Sequence, residues 1–258
     1  MNFVTVLIAL VMFIALIGMI VCSKKQKTSP AAQPIAIGLL IVVIACGVGI
    51  LYRTDILGNP NNRFQEYENR YHASQGNVLG KYIQKNFPGK KVLVLLESDY
   101  EKNPRTKILV DALKAGAGEN LDVETDTLVL ANRPNTPEGD MGMEMPLFEL
   151  MTAKDFDKAL EAHKDCGVVI SSIGLPRDAA KMKLWKAKDR PAVILLNAFD
   201  MRGYDNLIKA GMISAIVAVG PDAKFTEDAP PRDPQAAFDV RYVLIDKDNI
   251  EKYANMFN

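Results

Sequence analysis

Lys90-Lys91-Val92-Leu93-Val94-Leu95-Leu96-Glu97 is the stretch that decides the architecture, because its apolar residues run without alternation between charged ends. A strand with one wet face alternates, whereas a continuous apolar strand is covered on both faces, as in a parallel sheet flanked by helices. Comparable runs at 128–130, 168–170, 193–196, 216–219 and 243–245 are separated by segments of helical period. That alternation predicts a three-layer, mostly parallel α/β domain, most simply of the flavodoxin-like order, because right-handed crossovers leave few other windings.

The helices between these runs have readable starts. Pro104 suits a first helical turn and precedes a core face of Ile108, Leu109, Ala112 and Leu113. Thr152 with Asp155 has the form of a capping box, and Phe156, Ala159, Leu160 and His163 follow on one face. Further helices are expected over 178–188 and 204–212. Upstream, the turn-rich linker Gly58-Asn59-Pro60-Asn61-Asn62 leads to a helix with Phe64, Tyr67 and Tyr71 on one side. A second short helix with Val78, Leu79, Tyr82 and Ile83 is expected after Gly76.

Still further out, residues 3–22 and 34–52 are apolar and contain no charged side chain. At 1.5 Å per helical residue each is about 30 Å long, the thickness of a bilayer's hydrocarbon. All 31 acidic residues and 28 of the 31 basic ones lie from Arg53 onward. The expected organisation is a transmembrane helical hairpin over 1–53, a linker with juxtamembrane helices over 54–89, and the α/β domain over 90–258. Lys24, Lys25 and Lys27 lie between the spans, and no basic side chain precedes the first. Such a loop is kept on the cytoplasmic face, which puts the domain outside the inner membrane. The first run lacks the basic n-region and small-residue cleavage site of a signal peptide. Gly38, Ala45, Gly47 and Gly49 line one stripe of the second span, a packing surface for the first span or for another membrane subunit.

The segment Lys91-Val92-Leu93-Val94-Leu95-Leu96, the loop with Asn103-Pro104, and residues 108–115 running on to Leu121-Asp122-Val123 resemble the opening unit of periplasmic-binding-protein-like domains. The resemblance extends as pattern over 90–219 and implies the fold. Those families close two lobes on a small ligand, and this chain has residues for one, so the resemblance brings no ligand cleft with it.

Chemistry is sparse. A phosphate cradle needs a glycine-rich turn after a strand, and the turn after the first strand reads Glu97-Ser98-Asp99-Tyr100-Glu101. A phosphoacceptor needs a carboxylate where the third strand ends Ser171-Ser172-Ile173-Gly174, and the nucleophile elbow G-x-S-x-G is missing. Cys22, Cys46 and Cys166 form no disulfide framework. No catalytic, cofactor or metal residue is nominated. With 28 basic against 31 acidic residues from Arg53 onward, nucleic-acid binding is not expected.

What remains is a polar rim and two long connections at the carboxyl ends of the strands. Glu97, Ser171, Ser172, Asn197 and Asp200 could rim a small-molecule ligand, or simply cap turns and helices. The connection 131–151 carries Met141, Met143, Met145, Leu147 and Phe148, apolar content suited to a partner, a second copy, the bilayer or the domain's own sheet. The connection 220–239, rich in proline and acid, reads as an exposed excursion. Lys181, Lys183, Lys186, Lys188 and Arg190 around Trp185 could mark a membrane-facing or acidic-partner surface, though such a run is more often a solvated face with one core aromatic. The reading is a noncatalytic, membrane-anchored domain serving as subunit or scaffold of an envelope complex. The alternative is an extracytoplasmic ligand-sensing or substrate-binding module.

Overall fold

The computed structural model describes residues 3–25, 32–53, 60–97, 102–118, 121–130, 147–196, 198 and 201–257. Contacts divide the chain into two compact units, Met1–Glu66 and Tyr67–Asn258.

The first unit contains α1 (Phe3–Lys25) and α2 (Ala32–Arg53). Within them Leu7–Lys25 and Ala32–Leu51 are long and apolar enough to cross a membrane. The helices touch where Gly18 admits Leu39, whose Cδ1 lies 2.9 Å from where a Cβ on Gly18 would sit. Leu10, Phe13, Ile14 and Ile20 on α1, with Ile35, Ile41 and Ile44 on α2, stay exposed.

The second unit holds most of α3 (Pro60–Asn86), then β1 (Val92–Leu96), α4 (Pro104–Ala117) and β2 (Val123–Thr127). After α5 (Leu147–Leu150) and α6 (Ala153–Ala162) come β3 (Val168–Ser171), β4 (Ala192–Leu196), α7 (Tyr204–Lys209) and β5 (Ala215–Val219). The unit closes with α8 (Pro234–Arg241), β6 (Tyr242–Asp246) and a kinked 3-10 segment, Ile250–Phe257. The sheet order is β2-β1-β3-β4-β5-β6, with β6 antiparallel to β5 and the other pairs parallel. The first five strands have the flavodoxin-like order. Side chains leave each strand on alternate faces. Val92, Val94, Leu96, Ile170 and Ile194 pack with Leu79 and Ile83 of α3, Leu113 of α4 and Phe238 of α8. Leu93, Leu95, Val169, Leu195 and Ile216 pack with Phe156 of α6, Ile208 of α7, Met182 and Leu184.

Several local expectations are corrected. The second strand is Val123–Thr127, not 128–130. As an edge strand paired, among the described residues, with β1 alone it needs little apolar side chain, and Val-Glu-Thr-Asp-Thr is half-buried throughout. Beyond it Leu128 is buried and Val129 is exposed. Residues 178–188 form two 3-10 turns, Ala179–Lys181 and Lys183–Lys186, with Met182 extended between them. Tertiary hydrogen bonds override helix propensity here: Asp178 accepts from Ala153 N at 2.7 Å, and Asp157 from Lys183 N at 3.0 Å. The break expected at Gly76 is absent, because Gly76 and Gly80 lie against α4 within a single helix. The helix at 204 stops at Lys209, before Gly211 at φ +66°. The last six residues of the connection 220–239 belong to helix α8, capped by Asp233. The capping box at Thr152 and Asp155 forms as read.

Candidate functional site

The strand order reverses direction between β1 and β3, and open α/β sheets bind ligands beyond the carboxyl ends of the strands at such a switch point. Glu97 follows β1 there and is exposed. Ser171 ends β3, and its hydroxyl donates to Gly174 O at 2.6 Å, fixing a turn in which Gly174 takes φ +75°. Both Ser172 N and Ser172 Oγ donate to Leu95 O, at 3.0 and 2.9 Å. Ser172 therefore fastens β3's exit onto β1 while Ser171 closes the turn that follows, satisfying local backbone carbonyls, and Ser172 Oγ keeps acceptor capacity. Asn197 and Asp200 lie outside the described residues, as do Met141, Met143 and Met145; nothing describes the side chain of Phe148. Leu147 is half-buried and packs on the domain's own core.

In the unit of α1 and α2, a Cβ built on Gly38, Gly47 or Gly49 meets no atom of the described residues within 4 Å, and Ala45 is exposed.

A constellation that the sequence reading did not assemble sits at the opposite, amino-terminal edge of the sheet. Glu124 and Asp126 are two apart on β2, so both project from the α6 side of the strand. His163 ends α6 between them: Nδ1 is 2.9 Å from Glu124 Oε2 and Nε2 is 2.9 Å from Asp126 Oδ2. Lys91, just before β1, bridges Glu124 Oε1 at 2.5 Å and Asp165 Oδ2 at 2.6 Å. Cys166, just before β3, is buried, and its sulfur lies within 4.8 Å of donor atoms of His163 and Glu124. Beside them a cleft of about 210 Å³ opens between α6 and the segment before β4, lined by His163, Lys164, Cys166, Lys183 and Leu184 among others.

The electrostatics follow from these partners. Glu124 is held below the usual carboxylate range, first by Lys91 and then by His163. Asp165 is lowered chiefly by Lys91, whose ammonium is raised in turn by Asp165 and Glu124. Partial burial lowers the His163 imidazole, but its hydrogen bonds to Asp126 and Glu124 outweigh this and leave it raised. The Cys166 thiol is pushed up to about 11, by burial first and then by Asp165 and Glu124. The cluster was obscured in the sequence because β2 was expected at 128–130, which removed Glu124 and Asp126 from the sheet. The available signal was the alternation Val123-Glu124-Thr125-Asp126-Thr127.

No protein-family model matches the chain, and no curated protein matches it. Among solved structures, XylFII in the XylFII-LytSN complex is similar with 15% identity and a TM-score of 0.43, over 69% of this chain and 60% of that one. GanP, a glucose-galactose binding protein from Geobacillus stearothermophilus, is similar with 12% identity and a TM-score of 0.43, over 70% and 61%. An ABC transporter solute binding protein from Burkholderia graminis, in complex with D-arabinose, has 12% identity and a TM-score of 0.44, over 70% and 62%. The chain therefore spans about three fifths of the length of these neighbours.

Proposed function

We propose that this chain is a membrane-anchored, noncatalytic recognition domain, held by α1 and α2 and facing away from the cytoplasm, that binds a small polar ligand at the β1–β3 strand ends. The observation that carries the reading is the reversal of strand order between β1 and β3, with exposed Glu97 at that edge and Ser172 supplying an acceptor beside it. A carboxylate and a hydroxyl at a strand-end crevice suit a neutral, hydroxyl-rich or amine-bearing small molecule. The test is thermal unfolding of the full chain in detergent against a panel of sugars, polyols, amines and amino acids. The reading expects a saturable rise in Tm with one class, abolished in Glu97→Ala. A panel without any shift, or a shift unaltered by Glu97→Ala, sinks it.

A second reading, assembly within the membrane, is favoured by the open face of α2, where Gly38, Ala45 and Gly49 leave room for a close-packed helix. Gly49→Leu in vesicles is then expected to shift a crosslinked oligomer towards monomer. A crosslinking pattern unchanged by the substitution speaks against it.

A further inference from the structure

We propose that Glu124, His163 and Cys166 form a binding site for a zinc-class divalent cation, at the opposite end of the sheet from the ligand edge. Carboxylate, imidazole and thiolate are together the borderline donor set that zinc and its spectroscopic substitute cobalt take, and one ligand atom from each already lies within 4.8 Å of the others. The second observation is the surroundings of these donors. A metal-bound histidine almost always gives its other ring N–H to a carboxylate, a backbone carbonyl or a water. His163 turns Nδ1 toward Glu124 and places Nε2 2.9 Å from Asp126 Oδ2. Glu124 is oriented in the same way: Oε2 faces the imidazole while Lys91 holds Oε1 at 2.5 Å.

The third observation is access. The cleft beside α6 is lined by both His163 and Cys166, so a cation has an entry path and a water can complete a four-coordinate shell. Glu124, Asp126 and Asp165 outnumber Lys91 and the His163 imidazolium among the charged groups in direct contact, which favours a cation over an anion. On binding, the Cys166 S–H proton and the proton held between His163 Nδ1 and Glu124 pass to solvent, leaving a thiolate and a neutral imidazole. The ion would tie the polar edge strand β2 to the end of α6 and the start of β3, three elements that otherwise meet there through ion pairs.

The test uses the full chain in detergent, stripped with a chelator and titrated with cobalt(II), then zinc(II). The expected result is uptake of one cobalt per chain, with a thiolate-to-cobalt charge-transfer band that zinc abolishes. Cys166→Ser loses that band, while Cys22→Ser/Cys46→Ser keeps it. Asp126→Asn weakens the affinity roughly tenfold to a hundredfold through the second shell, and Glu124→Gln weakens it at least as much. If Cys166→Ser does not fold, Glu124→Gln on the half-exposed edge strand decides. Absence of the thiolate band in the wild type, or an affinity unchanged in Glu124→Gln, overturns the proposal. Glu97→Ala is expected to leave cobalt uptake unchanged, so failure of the ligand reading and failure of the metal site are told apart.

Discussion

Arg241 carries more of the domain's stability than a cation at a helix end ordinarily does. Its side chain is 2% exposed, its Nη1 lies 2.7 Å from Glu68 Oε1, and its guanidinium carbon sits 3.4 Å from the centroid of the Tyr71 ring. Removing one partner of such a pair leaves a desolvated charge behind. Arg241→Ala is expected to lose about 3 kcal/mol in urea unfolding, the low end of the range for buried pairs because Glu68 keeps some water. Arg241→Lys is expected to recover little, since it lacks the planar fork and the stacking face; full recovery would show that charge alone suffices. None of this was legible in the sequence, where Glu68 and Arg241 are 173 residues apart. Nearby, His72 has its imidazole lowered from 6.5, by burial first and then by Arg105, with Arg241 adding to this and Glu68 and Gln75 opposing. A histidine lowered in the folded state is protonated more readily when unfolded, so its contribution is present above 6.5 and lost as pH falls through the folded value. Denaturant midpoints are therefore expected to fall below pH 6.5, and His72→Gln to flatten that slope; identical profiles for the two proteins would contradict this.

The helices on that face are joined by close backbone approach. Cβ atoms on Gly76 and Gly80 would strike the α4 backbone at Leu109 and Leu113, and one on Gly116 would strike Asn77. Helix propensity alone says Gly80→Ala gains about 1 kcal/mol. The packing says the helices must separate, at a cost of roughly 1–3 kcal/mol. Chemical unfolding of Gly80→Ala is expected to show net loss, and net gain would mean that α3 and α4 are not so close. This spacing was visible in the sequence, yet Gly76 was read as a break, because glycine in a polar helix signals termination as readily as contact. The buried strands were legible for the opposite reason: β1, β3, β4 and β5 are covered on both faces and can only be apolar. The edge strand β2 has no such constraint, and with it went Glu124 and Asp126.

Across the whole molecule, local pattern and handedness were enough to reach the layered sheet and its order. The candidate sites were only half reachable. Strand position alone puts Glu97, Ser171 and Ser172 at the carboxyl ends of β1 and β3, but that Ser172 holds Leu95 O and Ser171 holds Gly174 O depends on the tertiary arrangement. The cluster of Lys91, Glu124, His163 and Cys166 depends on the register of β2 against β1, in which Glu124 stands beside Leu93. Two helices long and apolar enough to cross a membrane precede a domain with its own core, and many of their apolar side chains are exposed. The account's central claim, an α/β recognition domain anchored by that hairpin on the far side of the membrane, is tested most directly by labelling. Cys22 and Cys46 lie in the apolar helices and Cys166 is buried, so background reaction is low, and Asp228 is exposed on the excursion before α8. Treating intact cells that express Asp228→Cys with a membrane-impermeant maleimide is expected to label the protein, recovered in the membrane fraction, as fully as after lysis. Labelling that appears only after lysis, or a labelled protein in the soluble fraction, would contradict the account.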